Sequence, residues 1–228
     1  MFDEEARAWG VSSRVALALF AFPLAGALLI ALDLIHGAYA ARLLQEDSVV
    51  EWATALAIFT TAVFSTIVAS MLWRDGLRAQ AVAYALLALA SILAAGEEVS
   101  WGQRLFGFGT PQSLRGANEQ EEFNVHNLGA VYPLYLVGML FVGLYGSVGS
   151  WFVYRFKRWW TPNWCLFMPP VFLAGAFIQL AGYRLIRYTG APGHDYGEWC
   201  ECCVAVAIAV FVALNARRLR TMNRFEGQ

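Results

Sequence analysis

Charge is scarce in this chain, and its scarcity limits the kinds of protein the chain can be. Only 14% of its 228 residues are charged, whereas about 25% are charged in a typical soluble protein. Hydrophobic residues make up 59%, and the mean hydropathy is +0.50. No Gly/Ser-rich linker, internal repeat or low-complexity tract interrupts the sequence. These features indicate an integral membrane protein with a single domain over residues 1–228, and the net charge of -1 argues against a nucleic-acid partner.

The sequence also lacks the alternating pattern of a transmembrane β-strand. Its apolar residues form continuous runs instead, and six runs reach the roughly 20 residues that a helix needs to cross about 30 Å of hydrocarbon. We therefore predict an all-α fold, a polytopic membrane bundle of six transmembrane helices. Gly143 and Ser147, one turn apart in the fourth run, predict close packing on a neighbouring helix. The predicted spans are residues 14–38, 49–73, 79–101, 127–154, 163–187 and 198–216.

Cysteine occurs only four times, in a pattern that favours no metal or disulfide chemistry. Cys165 begins the fifth span, whereas Cys200, Cys202 and Cys203 begin the sixth at the opposite face. A disulfide between the two groups would have to cross the membrane, which its geometry forbids. The second group also lacks the C-x2-C spacing of zinc sites. We therefore expect buried thiols that pack as small apolar side chains.

Basic residues favour one side of the predicted bundle. An even number of spans places both termini on one side, and that side holds 11 of the 16 Lys and Arg residues, against 5 on the other. By the positive-inside rule, both termini lie in the cytoplasm and the 104–125 loop lies in the periplasm. Of the 17 acidic residues, 12 lie at or beyond the outer end. We expect a multi-pass protein of the bacterial inner membrane, with membrane lipid as a partner.

Histidine is rarer still, and all three residues fall at outer ends of spans. His36 follows Asp33 by three residues, so both lie on one helix face. His126 begins the fourth span, and His194 precedes Glu198 by four residues at the start of the sixth. Histidines with carboxylates suit a divalent Zn, Mn or Fe ion, so these five residues are candidate metal ligands. No H-E-x-x-H motif accompanies them, and a salt-bridged or proton-sharing cluster is the alternative.

Two glutamates close the third span. Glu97 and Glu98 approach the C-terminal end of a helix, where the dipole disfavours anions, so they need a cation, a proton or a metal. Glu98 is turned about 100° from Glu97, so the two side chains cannot point the same way. We expect Glu97, Glu98 and Arg104 to be catalytic. The arginines of span five either neutralise carboxylates or bind a lipid phosphate. Candidate substrate-binding residues are Ser100, Trp101, Gln103, Asn127, Tyr183, Arg184 and Arg187.

One stretch resembles a known family. Gly96-Glu-Glu-Val-Ser-Trp-Gly-Gln-Arg104, followed by Asn124-Val-His126-Asn127, is similar to the GEE-[IV]-SWGQR and N-x-H-N stretches of an uncharacterised family of bacterial multi-pass membrane proteins. The specific match covers about residues 96–127. The resemblance implies that these residues act as one periplasmic unit, and it implies no particular activity. Glu201 lies inside the apolar part of the sixth span and therefore needs a partner, but the sixth span departs from the family toward Cys-rich sequence, which weakens the case for a role of Glu201 at the site.

These features favour a membrane-embedded enzyme with an outward-facing carboxylate/histidine site, with or without a metal, that acts on a lipid or lipid-linked substrate. A proton- or cation-coupled transporter would use the same acids as a relay. A non-catalytic subunit of a membrane complex would hold them in salt bridges. The almost purely apolar inner halves of the spans argue against a transport path. Enzyme, transporter and non-catalytic subunit are therefore the alternatives that the structure has to distinguish.

The basic-residue split predicts the topology directly. Alkaline phosphatase fused after Gln228 should be inactive, because the enzyme folds only outside the cytoplasm, and a fusion within residues 112–120 should be active. Matched protein levels of the two fusions make the comparison valid. High activity of the C-terminal fusion together with an inactive loop fusion would overturn the topology.

Overall fold

The computed structural model describes residues 2–36, 48–115, 123–125, 128–156, 165–188 and 196–226, which form helices and turns without a strand. Short 3-10 turns occur at Ser100–Gly102 and Val171–Leu173, and a π-helical turn occurs at Tyr145–Gly149. The α-helices of this part of the chain, in order, are α1 (Phe2–Ala8), α2 (Ser13–His36), α3 (Val49–Arg74), α4 (Arg78–Glu98), α5 (Gln103–Phe106), α6 (Gln112–Arg115), α7 (Tyr132–Leu144), α8 (Ser150–Arg155), α9 (Ala174–Tyr188) and α10 (Tyr196–Glu226).

Five helical stretches of the described residues are long and apolar enough to cross a bilayer: part of α2, α3, α4, α7 continued into α8, and α10. The prediction of an all-helical fold is therefore confirmed for the described residues, and these five stretches agree with a membrane-spanning protein. Helix α3 begins where predicted, because the Ser48 hydroxyl accepts a hydrogen bond from the Glu51 backbone N–H at 3.3 Å and caps the first turn. Helix α10 runs past residue 216, the predicted end of its span, to Glu226.

The fifth predicted span, residues 163–187, differs from the structure. Cys165 is helical, but turns and extended residues over 166–170 and the 3-10 turn separate it from α9, which begins at Ala174. Pro169 and Pro170 explain the difference, because proline lacks the N–H that a helix needs and disfavours helical geometry in the residue before it. Helix α9 has 15 residues and by itself is shorter than a span. Residues 161–164, which hold the predicted helix start, lie outside the described part.

Helix α9 lies at the centre of the bundle, in contact with α2, α7 and α10. Its side chains Phe177 and Leu180 are buried. The approach of α7 and the π-helical turn is close, because a Cβ atom on Gly143 would lie 2.8 Å from the Ala181 backbone nitrogen and one on Gly146 would overlap the Phe177 ring. The close packing predicted for the fourth span is therefore confirmed. The four cysteines are buried, unpaired thiols, also as predicted.

The bundle has a basic end and an acidic end. At the basic end, the Arg218 guanidinium carbon lies 4.4 Å from the centre of the Trp9 ring, and that of Arg78 lies 3.9 Å from the centre of the Trp73 ring. Such arginine–tryptophan pairs suit the boundary between hydrocarbon and water. The acidic end is formed by the first turns of α3 and α10 and the last turn of α4, which carry Glu51, Glu198 and Glu98, respectively.

The amphipathic helix α1 joins the basic end to the start of α9 through one carboxylate. Glu5 is 4% exposed, and its two carboxylate oxygens accept hydrogen bonds from the Val171 backbone N–H at 3.0 and 3.1 Å. The carboxylate thereby receives a donor at the entrance of the 3-10 turn, where helix starts leave N–H groups unsatisfied. Burial raises the pKa of Glu5 to about 7, although backbone hydrogen bonds from Val171 and Phe172 oppose the increase.

Replacement of Glu5 should change how stability depends on pH. The pKa of the folded state lies above the ordinary value of 4.5, so the folded state keeps its proton longer than the unfolded state. Stability is therefore greatest below about pH 4.5 and falls by about 3 kcal/mol as pH rises through about 7. Glu5→Gln keeps an acceptor for the Val171 N–H but cannot ionise, so it should remove this fall.

Thermal unfolding in detergent between pH 5 and pH 8 measures the effect. Wild-type protein should lose more stability across that range than Glu5→Gln. Glu4→Gln, at the exposed neighbouring position, should follow the wild-type curve. Parallel curves for the wild type and Glu5→Gln would show that Glu5 does not titrate in this window.

Candidate functional site

A buried ion pair organises the acidic end. Arg184 on α9 donates a hydrogen bond from Nη2 to Glu201 Oε1 on α10 at 2.5 Å. The Tyr135 hydroxyl on α7 donates to the other oxygen, Oε2, also at 2.5 Å. The side chains of Arg184 and Glu201 are only 6% and 15% exposed. Burial of two charges is tolerated when they pair and are further hydrogen-bonded, as they are here. One carboxylate therefore ties three helices together.

Aromatic rings surround the guanidinium group of Arg184. Its Cζ atom lies 5.1 Å from the centre of the Tyr183 ring and 5.7 Å from that of Tyr135. The Tyr183 ring in turn packs on Tyr196, with ring centres 5.2 Å apart. Cation–π contacts of this kind stabilise a desolvated guanidinium. The Nε atom of Arg184 is buried without a hydrogen-bond partner in the described part of the chain, so one donor of this side chain is not used by the ion pair.

Glu98 faces the same region from α4. The carboxyl groups of Glu201, Glu198 and Glu51 are all near enough to repel a negative charge on Glu98. We call these four residues the acidic cluster; they come from α3, α4 and α10. Glu98 is partly buried, and no side chain or backbone group of the described residues forms a hydrogen bond or ion pair with it. Unlike Glu201, Glu98 can therefore exchange a proton or contact a ligand without first breaking a described hydrogen bond.

Glu97, the preceding residue, points elsewhere and has a different role. Its Oε1 accepts a hydrogen bond from Trp101 Nε1 at 2.7 Å, and its Oε2 accepts one from the Val125 backbone N–H at 2.5 Å. The predicted divergence of Glu97 and Glu98 is therefore confirmed. Both oxygens of Glu97 hold neighbouring segments in place, so the structure gives it a positioning role. A direct catalytic role for Glu97 stays a prediction.

Two other residues of the 96–104 motif, Ser100 and Gln103, hold the same segment, residues 123–125. The Gln103 amide oxygen accepts the Phe123 backbone N–H at 2.8 Å, and its amide nitrogen donates to the Thr110 hydroxyl at 2.8 Å. Asn124 donates to the buried Ser100 hydroxyl at 3.3 Å. The two halves of the motif, separated by about twenty residues in sequence, are therefore in contact. This agrees with the expectation that they act as one unit, while substrate binding by Ser100, Trp101 and Gln103 stays a prediction.

A left-handed turn over residues 100–102 makes these contacts possible. Helix α4 ends at Glu98, just before this turn, whereas the third span was predicted to continue to residue 101. Ser100 and Trp101 have φ values of 45° and 53°, and Gly102 has a φ of 76°. Non-glycine residues seldom adopt such values, and backbone strain of this kind often accompanies functional sites. The turn folds the Trp101 ring back onto Gly96, where an added Cβ would lie 2.9 Å from the ring. Gly96 therefore gives the ring room to bring its N–H to Glu97.

Several predicted site residues cannot be located relative to the cluster. His126, Asn127 and His194 lie outside the described residues. Asp33 and His36 lie on the last turn of α2, and Arg104 lies on α5, but their side chains are outside the described part. Among the residues that are described, no three His, Cys, Asp or Glu side chains are grouped so as to hold a metal ion. The metal prediction therefore depends on the three histidines.

Some of the predicted substrate-binding residues and one of the predicted metal ligands lie at or near the cluster. Arg184 neutralises a carboxylate, which is the first of its two predicted roles. Tyr183 packs beside Arg184, Glu198 lies near Glu98, and Arg187 lies one helical turn beyond Tyr183.

Sequence reasoning gave too little weight to Glu201 and missed Tyr135. Glu201 is an acid inside an apolar helix, a signal visible in the sequence. Tyr135 lies 66 residues away from it, among apolar residues that give no sign of a polar contact. Glu51 lies at the outer end of its span, as the sequence indicates, and it is near Glu98.

Glu97→Gln should loosen the segment that Glu97 holds. The amide has one acceptor oxygen for two N–H donors, so one donor loses its partner at a cost of about 1–3 kcal/mol. Hydrogen exchange should show faster exchange of the Val125 amide in this variant. Glu98→Gln is the matched control and should leave that exchange unchanged. Unchanged exchange in both variants would mean that Glu97 does not anchor the segment.

Comparison with known proteins does not assign this chain to a family. No family model, curated protein or solved structure matches it. The resemblance of residues 96–127 to a family of bacterial membrane proteins therefore stays a prediction. The function of this chain therefore follows from the contacts at the acidic end and from the position of that end in the bundle.

Proposed function

We propose that this chain is a membrane-embedded enzyme that acts on a lipid or lipid-linked substrate, with Glu98 as its general base. The observation that carries the proposal is the environment of Glu98. This carboxyl lies among three others at one end of a membrane bundle, and it has no hydrogen-bond partner in the described residues. A structural carboxyl at such a depth would be expected to have a partner, as Glu201 has, because unpaired charge is costly there.

The neighbouring groups suit acid–base chemistry. A water molecule or a hydroxyl of a second substrate would lose its proton to Glu98 while its oxygen forms the new bond. The same proton would pass from Glu98 to the leaving oxygen as the old bond breaks, so the carboxyl returns to its starting state. The Tyr135–Glu201–Arg184 contacts would hold the surrounding side chains fixed during these steps.

We also propose six membrane crossings, with both termini in the cytoplasm of a bacterial inner membrane. The crossing that joins the five long helical stretches to make six is α9 together with its 3-10 turn, which is fifth in chain order. At 1.5 Å per residue for the α-helix and 2.0 Å for the turn, this unit is about 28 Å long, close to the thickness of the hydrocarbon core. One end contacts Glu5 of α1, and the other end bears Arg184 beside Glu201. The acidic cluster would then face the periplasm.

A metal ion at this site is a second part of the proposal. Its ligands would be His36, His126, His194, Asp33 and Glu198, as the sequence predicts. The position of Glu198 near Glu98 supports this idea, because a metal there would be close to the proposed base. A Zn, Mn or Fe ion would supply an activated water molecule. The general-base role of Glu98 does not require it.

The described contacts favour the enzyme over the transporter. A relay along the helices would need hydroxyl groups that can pass protons from one to the next. Below the cluster, the hydroxyl groups of Thr54 and Thr61 on α3 donate instead to the carbonyls of Val50 and Ala57 in their own helix, at 2.9 and 3.1 Å. A non-catalytic subunit would leave Glu98 dispensable, and the experiment below detects that outcome.

Glu98→Gln should abolish the reaction without unfolding the protein, because it removes the base but keeps the side-chain size. A lost general base typically lowers the rate by about 10²- to 10⁴-fold. Lipid extracts of cells that express the wild type, Glu98→Gln or Glu4→Gln at equal levels should be compared by mass spectrometry. A lipid species whose abundance depends on the wild-type protein should persist in Glu4→Gln and be lost in Glu98→Gln.

Two outcomes would reject this proposal. One is a lipid composition that the wild-type protein does not change. The other is a change that Glu98→Gln reproduces in full, because the carboxyl would then be unnecessary. Thermal unfolding of each purified variant shows whether the fold is intact.

A further inference from the structure

An apolar groove of about 460 Å³ lies between α4, α7, α9 and α10. This volume is within the range of small-molecule sites in proteins. Aliphatic and aromatic side chains form most of its wall, among them Leu87, Val142, Phe177 and Ile208. Residues of these types offer no hydrogen bonds to a ligand, so the wall suits hydrocarbon.

The two tyrosines in the wall support this conclusion. The Tyr84 hydroxyl donates a hydrogen bond to the Leu166 carbonyl and accepts one from Asn215. The Tyr145 hydroxyl donates to the Phe167 carbonyl at 2.6 Å. Both hydroxyl protons are thus used inside the protein, and the rings add apolar surface to the groove.

The groove lies directly below the ion-pair end of the site. Val142, Phe177 and Ile208 are each seven residues from Tyr135, Arg184 and Glu201, respectively, on α7, α9 and α10. Residues seven apart lie on nearly the same face of a helix, about 10 Å apart along its axis. The faces that meet at the Tyr135–Glu201–Arg184 contacts therefore continue into the groove, on three helices at once.

The groove opens sideways between α4 and α7. Phe141 and Tyr145 at its rim are 66% and 47% exposed, and α4 and α7 are not among the closely packed helix pairs. In a bundle that crosses the bilayer, this opening lies at the depth of the lipid chains. A chain could enter from the membrane without passing through water.

We propose that the groove holds the hydrocarbon chain of the substrate, whose polar head group lies at the acidic cluster. The proposal rests on the proposed function and narrows its substrate class to amphiphiles with a chain joined to the reacting head group. The apolar wall, the alignment with the ion pair and the lateral opening all agree with this occupant.

Photocrosslinking in vesicles tests the proposal. The probe is phosphatidylethanolamine with a diazirine halfway along one acyl chain, and labelled peptides are mapped by mass spectrometry. In the wild type, labels should be found on groove residues such as Phe177. Val142→Trp should fill the groove and lower this labelling several-fold. Ile208→Trp is a second filling variant, used if the first does not fold. Val148→Trp, at a 57% exposed position, is the matched control and should not change it.

The outcomes separate this proposal from the proposed function. Labels only on outward-facing residues, or groove labels that a folded filling variant leaves unchanged, would overturn the groove assignment. Labelling reports binding and does not require turnover. Groove labelling with full activity of Glu98→Gln would leave the groove assignment standing and reject the proposed base. Absent groove labelling together with an inactive Glu98→Gln would reject the groove assignment and leave Glu98 standing as the proposed base.

Discussion

The ion pair between Arg184 and Glu201 is the contact on which the acidic end of the bundle depends. Neither charge would be tolerated alone at this depth, because a buried, unpaired charge costs about 3–5 kcal/mol. Together they join α9 to α10, and the Tyr135 hydroxyl joins α7 to the same carboxylate. The ends of these three helices are therefore fixed by hydrogen bonds of defined direction. Apolar packing alone permits more sliding, because it has no preferred geometry.

This pairing also explains why two adjacent glutamates differ so much. Arg184 pairs with Glu201, and among the described residues no cation forms an ion pair with Glu98. Glu97 is on another face of α4 and accepts two N–H donors from a turn and a neighbouring segment. A step of one residue along a helix rotates the side chain by about 100°. Because of that rotation, Glu97 holds the neighbouring turn and segment in place, whereas Glu98 faces the acidic cluster.

The sequence allowed the membrane class and most helix bounds to be predicted, because hydropathy and capping are local properties. Helix α3, with Ser48 as its cap, illustrates this success. The start of α9 was missed, because hydropathy does not register that Pro169 and Pro170 interrupt an apolar run. The left-handed turn at Ser100 and Trp101 was also missed, since neither residue type suggests it. The contact of Tyr135 with Glu201 depends on how separate helices rotate against each other, which one sequence does not reveal.

The Glu5 contact has a consequence for the order in which the protein assembles. Glu5 and Val171 are 166 residues apart in sequence, so α1 cannot reach its final position until most of the chain has been made. By then α2, α3 and α4 have all been synthesised. Although α1 also contacts α2, its hydrogen bond with Val171 can form only after the start of α9 has been made, so this contact joins an early part of the chain to a late one.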